Sequence, residues 1–423
     1  MVGYVSPDKT NGAFKRHIIA AGRKINSLSH YMSYRKFKAD QLFNGINMLG
    51  NDEVLVTNTD GEVISIVNKK DAGDDVEILN GIITPGFVNT HCHLELSHMK
   101  GLIPEKTGLV DFVYKVINER FFAEEEILSA IDTAEKEMIK HGIVAVGDIC
   151  NNTLSLPQKM NNNLAYYNFV EASGWLPAVA QARSQRSKNL YDEFLKEIPA
   201  TSIVPHAPYS VSDDLWKYLI PFFENKTISI HNQEAPFEDE LFLQGTGDFV
   251  RMYRMMNIDN SFFSPSKKSS LQTYFHKLSR AASVIFVHNT FTSQTDIDFI
   301  TANKTVGQQL CFCLCPNANL YIENALPPVE MLIKNNCSIT LGTDSIASNW
   351  NLNILNEMKA LQQHFTFLQL EKLLQWATLN GAIALQMDNT FGSFEKGKKP
   401  GVVLIENIED GKLNKESTSK RIL

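Results

Sequence analysis

The sequence has no long apolar run, and this limits the kinds of protein that it encodes. No stretch reaches the roughly 18 to 20 apolar residues that a helix needs to cross a bilayer. Basic residues are outnumbered, with 40 Lys and Arg against 47 Asp and Glu and a net charge of -7. The sequence therefore predicts a globular protein with no membrane span and no nucleic-acid partner.

Cysteine is also scarce, with six residues in 423. This count fits a reducing compartment, and we expect the protein in the cytoplasm. Cys311, Cys313 and Cys315 alternate along one predicted strand and would face the same side, where they could bind a soft metal ion. No second cysteine cluster completes such a site, so buried thiols that act as small apolar side chains are the favoured interpretation.

The chain changes its pattern along its length, and this predicts its organisation. Residues 1–31 carry scattered basic residues around an apolar patch too short for a signal peptide, and we expect a disordered extension. Residues 32–82 contain short alternating runs broken by turns, which indicates a small antiparallel sheet. Residues 392–423 show the same pattern and could return to complete that sheet.

Residues 83–391 alternate apolar runs with charged segments of helical composition, which is typical of βα repeats around a parallel sheet. Eight such units match the TIM barrel, a (β/α)8 fold whose active site lies at the carboxyl ends of the strands. The sequence thus predicts an α/β protein. The candidate strands lie near residues 83–90, 143–149, 164–171, 202–206, 227–231, 284–288, 310–315 and 338–343.

Two histidines close the first of these strands. His91 and His93 are two positions apart, so on a strand their imidazoles point to one face while Cys92 points to the other. Neutral imidazole suits Zn²⁺, and a catalytic zinc ion typically takes three protein ligands and leaves a place for water. The pair predicts a metal site whose other ligands lie further along the chain.

Polar residues also stand where four later strands end. If these strands form one barrel, their side chains meet those of His91 and His93 at the same rim. Glu234, three residues beyond the fifth strand, could carry a proton at this rim, although alone it could equally be an acid at a helix N-terminus. The residues at the strand ends are His206, His231, His288 and Asp344.

In combination these residues resemble the amidohydrolase superfamily, in its branch of metal-dependent deaminases and chlorohydrolases. The resemblance covers nearly all of residues 37–405, and its marks are TPGFVNTHCH at 84–93, PHAPYS at 205–210 and LGTDS at 341–345, together with His231, Glu234 and His288. It implies a TIM barrel flanked by a small composite β-sandwich, which residues 32–82 and 392–423 would form. A homodimer is a further expectation from the family.

The resemblance also implies the roles of the site residues. One divalent ion is expected, most often Zn²⁺ and alternatively iron, because the third and fourth strands end in Glu171 and His206 rather than in the bridging lysine of two-metal relatives. Glu234 would shuttle protons, and a free oxygen of Asp344 would take a proton from the attacking water. His288 would contact that water, and His206 would contact the substrate. The implied metal ligands are His91, His93, His231 and Asp344.

Two further segments are similar to relatives that deaminate adenine-type nucleosides, chiefly aminodeoxyfutalosine deaminases, with S-adenosylhomocysteine and guanine deaminases behind. They are residues 94–98, which would place Glu95 at the substrate, and residues 345–349, which would place Ser345 and Asn349 there. We therefore expect hydrolytic deamination of a small aminopurine nucleoside or base, with release of ammonia.

Alternatives remain open from the residues alone. The same site could serve a chlorohydrolase or a cyclic-amide hydrolase, and an inactive barrel could act as a binding or scaffold protein. An insert at about residues 235–283 is rich in aromatic residues and methionine. It could form a lid over an aromatic substrate, or it could pack a helical hairpin against the barrel.

Overall fold

The computed structural model describes residues 34–423, and the extension expected at residues 1–31 lies outside the described residues. No helix in the described range is long and apolar enough to cross a membrane. The strands, numbered in chain order, are β1 (Tyr34–Lys38), β2 (Gln41–Phe43), β3 (Met48–Leu49), β4 (Glu53–Asn58), β5 (Val63–Asn68), β6 (Glu77–Ile78), β7 (Ile82–Pro85), β8 (Phe87–Cys92), β9 (Ile143–Cys150), β10 (Ala165–Ala172), β11 (Thr201–Pro205), β12 (Thr227–Asn232), β13 (Ser283–His288), β14 (Gln309–Leu314), β15 (Ser338–Leu341), β16 (Val402–Glu406) and β17 (Thr418–Arg421).

Helices follow the central strands and form much of the surface. The α-helices are α1 (Leu109–Glu119), α2 (Glu124–Lys140), α3 (Leu156–Lys159), α4 (Ala180–Glu197), α5 (Asp213–Leu219), α6 (Phe237–Gln244), α7 (Asp248–Met255), α8 (Ser270–Tyr274), α9 (Gln294–Asn303), α10 (Pro316–Ile322), α11 (Val329–Lys334), α12 (Ile354–His364), α13 (Leu370–Ala377) and α14 (Leu379–Ala384). Short 3-10 helices span Leu94–Met99, Pro177–Val179, Pro208–Ser210, Ile220–Phe223 and Phe275–Leu278.

Two sheets of four parallel strands form the centre of the fold. Their strand orders are β11-β10-β9-β8 and β12-β13-β14-β15. Strand β13 is buried at all six positions, as expected for parallel strands that are covered on both faces. All eight predicted central strands are present, and each βα step returns the chain so that the carboxyl ends lie on one side.

Backbone hydrogen bonds join the two sheets at both edges. The amides of Thr343 and Asp344, just after β15, donate to the carbonyl of His91 in β8 at 3.0 and 3.1 Å. At the other edge, the amide of His231 in β12 donates to the carbonyl of His206, just after β11, at 3.0 Å. The first and last central strands therefore meet, which brings their terminal side chains together.

The first predicted strand begins too early. Residues 82–85 form β7, which pairs with β16 and β2 in an outer sheet, and the central strand β8 begins only at Phe87. Gly86 lies between the two strands, where an added Cβ would be 2.2 Å from Val144 Cγ1 and 2.6 Å from the Pro400 carbonyl oxygen. The apolar run continues across Gly86, so periodicity alone did not reveal this break.

Strands from both chain ends form two outer sheets, ordered β5-β4-β1-β6 and β17-β16-β7-β2-β3. Their buried side chains share one apolar cluster, in which Phe37 and Leu55 come from the first segment of the chain and Phe394 and Leu404 from the last. The tail therefore does return to the outer sheets, where β16 pairs with β7. It does not complete the sheet that begins at Tyr34, because β1 lies in the other outer sheet.

The tight packing at Gly86 leads to a stability prediction. We expect Gly86→Ala to lower the free energy of unfolding by about 1–3 kcal/mol, because the new methyl group must displace Val144 and the Pro400 carbonyl. Gly50→Ala is the control, since a Cβ there meets no atom within 4 Å. Urea unfolding of both variants checks this, and a loss no larger for Gly86→Ala than for Gly50→Ala contradicts it.

Candidate metal and substrate site

Three histidines and one aspartate meet at the carboxyl ends of the central strands. His91 and His93 lie at the end of β8, His231 lies in β12, and Asp344 follows β15. One nitrogen or oxygen atom of each residue lies within 4.8 Å of the others, and all four residues are buried, so this group could hold a metal ion. Cys92 is also buried but belongs to the apolar core, as the alternation along the strand predicts.

The spacing of the donor atoms fits a small divalent ion. The Nε2 atoms of His91 and His93 are 3.1 Å apart, and Asp344 Oδ1 lies 3.5 Å from the first and 3.2 Å from the second. Ligands about 2.0–2.1 Å from a tetrahedral zinc ion are about 3.3 Å from one another. The three distances among these donor atoms therefore match three edges of such a tetrahedron.

Hydrogen bonds hold two of these side chains in place. His231 Nδ1 lies 2.8 Å from the carbonyl oxygen of His206, which leaves its Nε2 for a metal ion. The Ser348 hydroxyl donates to Asp344 Oδ2 at 2.5 Å. We expected the second oxygen of Asp344 to be free. It instead accepts one hydrogen bond, from Ser348.

Glu234 and His288 lie beside this group. Burial raises the pKa of Glu234 well above its usual range, and the charge of Asp344 adds to the rise, which favours a protonated carboxyl. Burial lowers the pKa of His288, which favours the neutral ring. Its Nδ1 lies 2.8 Å from Asn319 Oδ1 and so carries the proton. Its Nε2, 3.5 Å from Glu234 Oε2, is buried and has no hydrogen-bond partner among the described residues.

Left-handed backbone occurs at the strand ends that carry these groups. Gln233 has a φ of 44°, His288 of 73° and Asp344 of 56°. Non-glycine residues pay a conformational cost in this region, and such strain persists where the surroundings hold it and is common at functional sites. The three turns aim Glu234, His288 and Asp344 toward one point.

A cavity of about 420 Å³ opens above the metal group. Its floor is polar and contains His93, His231, Glu234, His288 and Asp344. Much of its wall is apolar and comes from α1, from the segment after β10 and from α7 and the residues beyond it. These wall residues include Leu109, Phe112, Val113, Val116, Ile117, Trp175, Leu176, Val179, Met252, Tyr253, Met256 and Ile258.

The structure brings three of the four predicted substrate contacts to the cavity. His206 and Ser345 line it, and so does Glu95. Both oxygens of Glu95 are engaged, however, because Arg120 donates to Oε1 at 2.7 Å and the amide of Asn151 donates to Oε2 at 2.9 Å. Glu95 therefore holds Arg120 and the backbone of Asn151 in place at the cavity wall.

Asn349 is not among the residues that line this cavity. Its side-chain amide donates to the Thr343 carbonyl at 2.8 Å and to Glu357 at 2.9 Å. Asn349 thus supports the loop that carries Asp344 rather than reaching the cavity, which differs from the expected substrate contact.

Sequence reasoning missed several residues at the site. Asn319 meets His288 through a contact between different segments, and Glu171 reaches the cavity from β10. Ser348 lies only four residues from Asp344, but the sequence does not show which serine of this loop turns toward the carboxylate. The apolar face of α1 did leave a signal. Leu109, Phe112, Val113, Val116 and Ile117 follow helical spacing shortly after the metal pair.

The insert borders the cavity and also packs against the rest of the fold, while its role as a lid stays a prediction. Met252, Tyr253, Met256 and Ile258 line the cavity, while Phe249 packs away from it against Tyr209 with ring centroids 3.8 Å apart. Trp175 stacks on Tyr253 at a centroid distance of 5.1 Å and an interplanar angle of 8°. The insert therefore forms one wall of the cavity and is fixed to the fold by aromatic packing.

The three alternating cysteines take no part in the metal group. Within residues 34–423, the residues that could hold a metal ion include no cysteine. Cys313 lies 3.1 Å from the Thr90 hydroxyl and 4.0 Å from Cys315, and all three thiols are buried. This supports the interpretation of the thiols as core side chains.

The fold and the metal group agree with a comparison against known families. Residues 82–419 match the model of the amidohydrolase family, and the chain belongs to this family. It is also 26% identical over 330 residues to an adenosine deaminase of Helicobacter pylori, which covers 76% of this chain and 78% of that protein.

Solved structures show the same fold. The Helicobacter pylori aminofutalosine deaminase in complex with methylthio-coformycin superimposes with a TM-score of 0.76 at 22% identity, covering 92% of this chain and 100% of that one. An adenosine deaminase from Xanthomonas campestris with bound zinc gives a TM-score of 0.64 at 19% identity, covering 88% of this chain and 84% of that one.

Proposed function

We propose that this protein is a metal-dependent hydrolase that deaminates an adenine-type nucleoside and releases ammonia. The observation that carries the proposal is the set of three imidazoles and one carboxylate at the floor of a cavity, beside Glu234, whose pKa is raised by burial. The relatives named adenosine and aminofutalosine deaminases support the same reaction class.

The architecture that we propose for this site is a closed (β/α)8 barrel with a β-sandwich beside it. The backbone hydrogen bonds at both edges of the central sheets support closure. The apolar cluster shared by strands of both chain ends supports a sandwich. We place the barrel at residues 87–391, with β8 as its first strand, and the sandwich at residues 34–85 and 392–423.

We propose that His91, His93, His231 and Asp344 hold one divalent ion, with zinc favoured over iron. Three nitrogen donors, one oxygen donor and edges near 3.3 Å match the donor types and spacing that zinc prefers. Such an ion lowers the pKa of a water molecule toward ~7 and so supplies a nucleophile at neutral pH.

The protein's own groups then move the protons. The neutral His288 accepts a hydrogen bond from the attacking water at Nε2, the atom that lacks another partner. Glu234 donates its proton to the ring nitrogen beside the amine-bearing carbon as the water oxygen bonds to that carbon. Asp344 takes a proton from the water, since Oδ2 can accept a second hydrogen bond beside that of Ser348.

The second half of the reaction breaks the carbon–nitrogen bond. Glu234 takes the proton of the new hydroxyl group and passes it to the amine, which leaves as ammonia, while the ring carbon keeps the water oxygen as a carbonyl. The proton held by Asp344 then restores the acid form of Glu234. A carboxyl that both gives and takes protons near neutral pH needs a raised pKa, and burial supplies this for Glu234.

The apolar wall supports a nucleoside with an apolar group on its ribose. The purine amine must lie at the polar floor, so the ribose side of the substrate lies nearer the face of α1 that carries Val113 and Val116. We propose His206 and Ser345 as polar contacts along this path. An aminodeoxyfutalosine-like substrate fits this arrangement. The cytoplasmic location and the homodimer stay predictions.

An ammonia-coupled screen of aminopurine nucleosides tests the function. We expect zinc-loaded protein to release ammonia from at least one nucleoside, and dialysis against a chelator to abolish this until zinc is restored. Chloride or a carboxylate product without ammonia would indicate the chlorohydrolase or cyclic-amide alternatives. Protein that neither contains nor gains a divalent ion would support the inactive scaffold instead.

Glu234→Gln tests the proton carrier. We expect kcat to fall at least about 100-fold with unchanged metal content, because the amide cannot donate and accept the proton in turn. Glu238→Gln is the matched control. Glu238 is also buried and has a pKa raised to about 8 by desolvation, but it does not line the cavity. Its kcat should stay within about tenfold, and equal losses in both variants would remove Glu234 from the mechanism.

Val116→Asp tests the apolar wall. A carboxylate there should lower kcat/KM for 5′-methylthioadenosine about tenfold or more, since burying a charge against the apolar group is unfavourable, and should affect adenosine less. Asn118→Asp adds the same charge to α1 outside the cavity lining and serves as control. The wall has no role in selecting the substrate if both nucleosides lose activity equally in Val116→Asp.

A further inference from the structure

A buried ion pair lies behind the metal group and takes no part in the proposed chemistry. Asp148 in β9 and Lys159 at the end of α3 have fully buried side chains, and Lys159 Nζ lies 2.6 Å from Asp148 Oδ2. Neither residue lines the cavity above the metal group. Two charges inside a core carry a large desolvation cost, so the pair calls for a physical reason.

Lys159 has every hydrogen-bonding group satisfied. Besides Asp148, its ammonium group donates to Asn168 Oδ1 at 2.8 Å and to Cys150 Sγ at 3.2 Å. The rings of Tyr166 and Phe194 lie 5.1 and 5.0 Å from Nζ. Desolvation alone would lower the pKa of Lys159, but the charge of Asp148, the neighbouring Cys150 and the hydrogen bonds to both together raise that pKa. Lys159 is therefore a fixed cation that holds one oxygen of Asp148.

The other oxygen of Asp148 reaches the metal-binding segment. Asp148 Oδ1 accepts a hydrogen bond from the amide of Leu94 at 2.8 Å, and Leu94 directly follows His93. His93 itself precedes the 3-10 helix Leu94–Met99 and makes no side-chain capping hydrogen bond to it. Asp148, in the neighbouring strand β9, thus accepts a hydrogen bond from the first amide of this 3-10 helix, at the point where the chain leaves β8.

Strand pairing ends one residue before His93. The register between β8 and β9 shifts between Asn89 and Cys92, and the last pair of the ladder is Cys92 opposite Asp148. On the other side, the carbonyl of His91 accepts the amides of Thr343 and Asp344. The segment that carries both histidines is therefore fixed at one end by the last central strand and at the other by the carboxylate of Asp148.

From this geometry we infer that Asp148, held by Lys159, is a positioning residue that sets the backbone of His93 for metal binding. The inference rests on the proposed metal site and deepens it. Groups behind a metal ligand commonly change metal affinity 10- to 100-fold when they are removed. Asp148 provides the hydrogen-bond acceptor for the Leu94 amide, and Lys159 offsets the desolvation cost of the buried carboxylate.

Two double variants separate positioning from simple packing. Asp148→Asn with Lys159→Met is uncharged and keeps an oxygen that can accept from Leu94, so we expect the dissociation constant for Zn²⁺ to stay within about threefold of the wild-type value. Asp148→Ala with Lys159→Met is also uncharged but lacks the acceptor. We expect its dissociation constant to rise 10- to 100-fold.

The readout is metal affinity of the full chain, measured by competition with a chromophoric chelator, with the Co²⁺ absorption spectrum as a report on ligand geometry. Thermal unfolding of the metal-free variants is recorded in parallel. Cys150→Ala is the matched control, because Cys150 lies 3.2 Å from Lys159 Nζ and 3.9 Å from Asp148 Oδ2 but is not the acceptor of the Leu94 amide. Its affinity for Zn²⁺ should be unchanged.

The outcomes are distinct. If the wild type binds Zn²⁺ and both double variants bind it equally well, whatever their melting temperatures, Asp148 only packs the core and the inference fails. Equal weakening in both double variants also overturns it, since the Leu94 acceptor then makes no difference. A wild-type protein that binds no divalent ion would instead refute the proposed metal site on which the inference rests.

Discussion

The arrangement of the site depends on the junction between the first and last central strands. The carbonyl of His91 accepts two backbone amides, from Thr343 and Asp344, and this places a histidine of β8 against an aspartate about 250 positions along the chain. Without that junction, the two halves of the metal group would lie on separate sheet edges. Side chains of β8 strengthen the same junction, because Asn89 Nδ2 donates to Thr343 Oγ1 at 2.7 Å and the Thr90 hydroxyl donates to the Leu341 carbonyl at 2.8 Å.

Burial shifts the pKa values of the groups at the cavity floor and so favours a different protonation state in each. At the cavity floor the same desolvation lowers the pKa values of His231 and His288 and raises that of Glu234, which yields neutral imidazoles beside a protonated carboxyl. Asp344 differs, because hydrogen bonds with His91 and His93 outweigh the effect of burial and hold its pKa well below the usual range. One acid and one carboxylate thus coexist in a small volume, as a deaminase that both donates and accepts protons requires.

Much of this site was predictable from the sequence, because the local geometry of a strand determines which way its side chains point. A strand has a period of two, so His91 and His93 had to point the same way, and each later ligand ended an apolar run. The break at Gly86 could not be read in this way, since the apolar run continues while the chain passes from one sheet to another. Nor could the engagement of Glu95 by Arg120 or of the Leu94 amide by Asp148, because each joins segments that only the fold brings together.

The most direct test of the central claim is X-ray absorption at the zinc edge of the zinc-loaded protein. The account predicts one zinc ion with nitrogen and oxygen ligands at about 2.0–2.1 Å and the multiple scattering of imidazole rings, and no sulfur in the first coordination shell. Sulfur ligands at about 2.3 Å would contradict it. The cysteines of β8 and β14 would then hold the metal, and His91, His93, His231 and Asp344 would lose the role on which the proposed reaction depends.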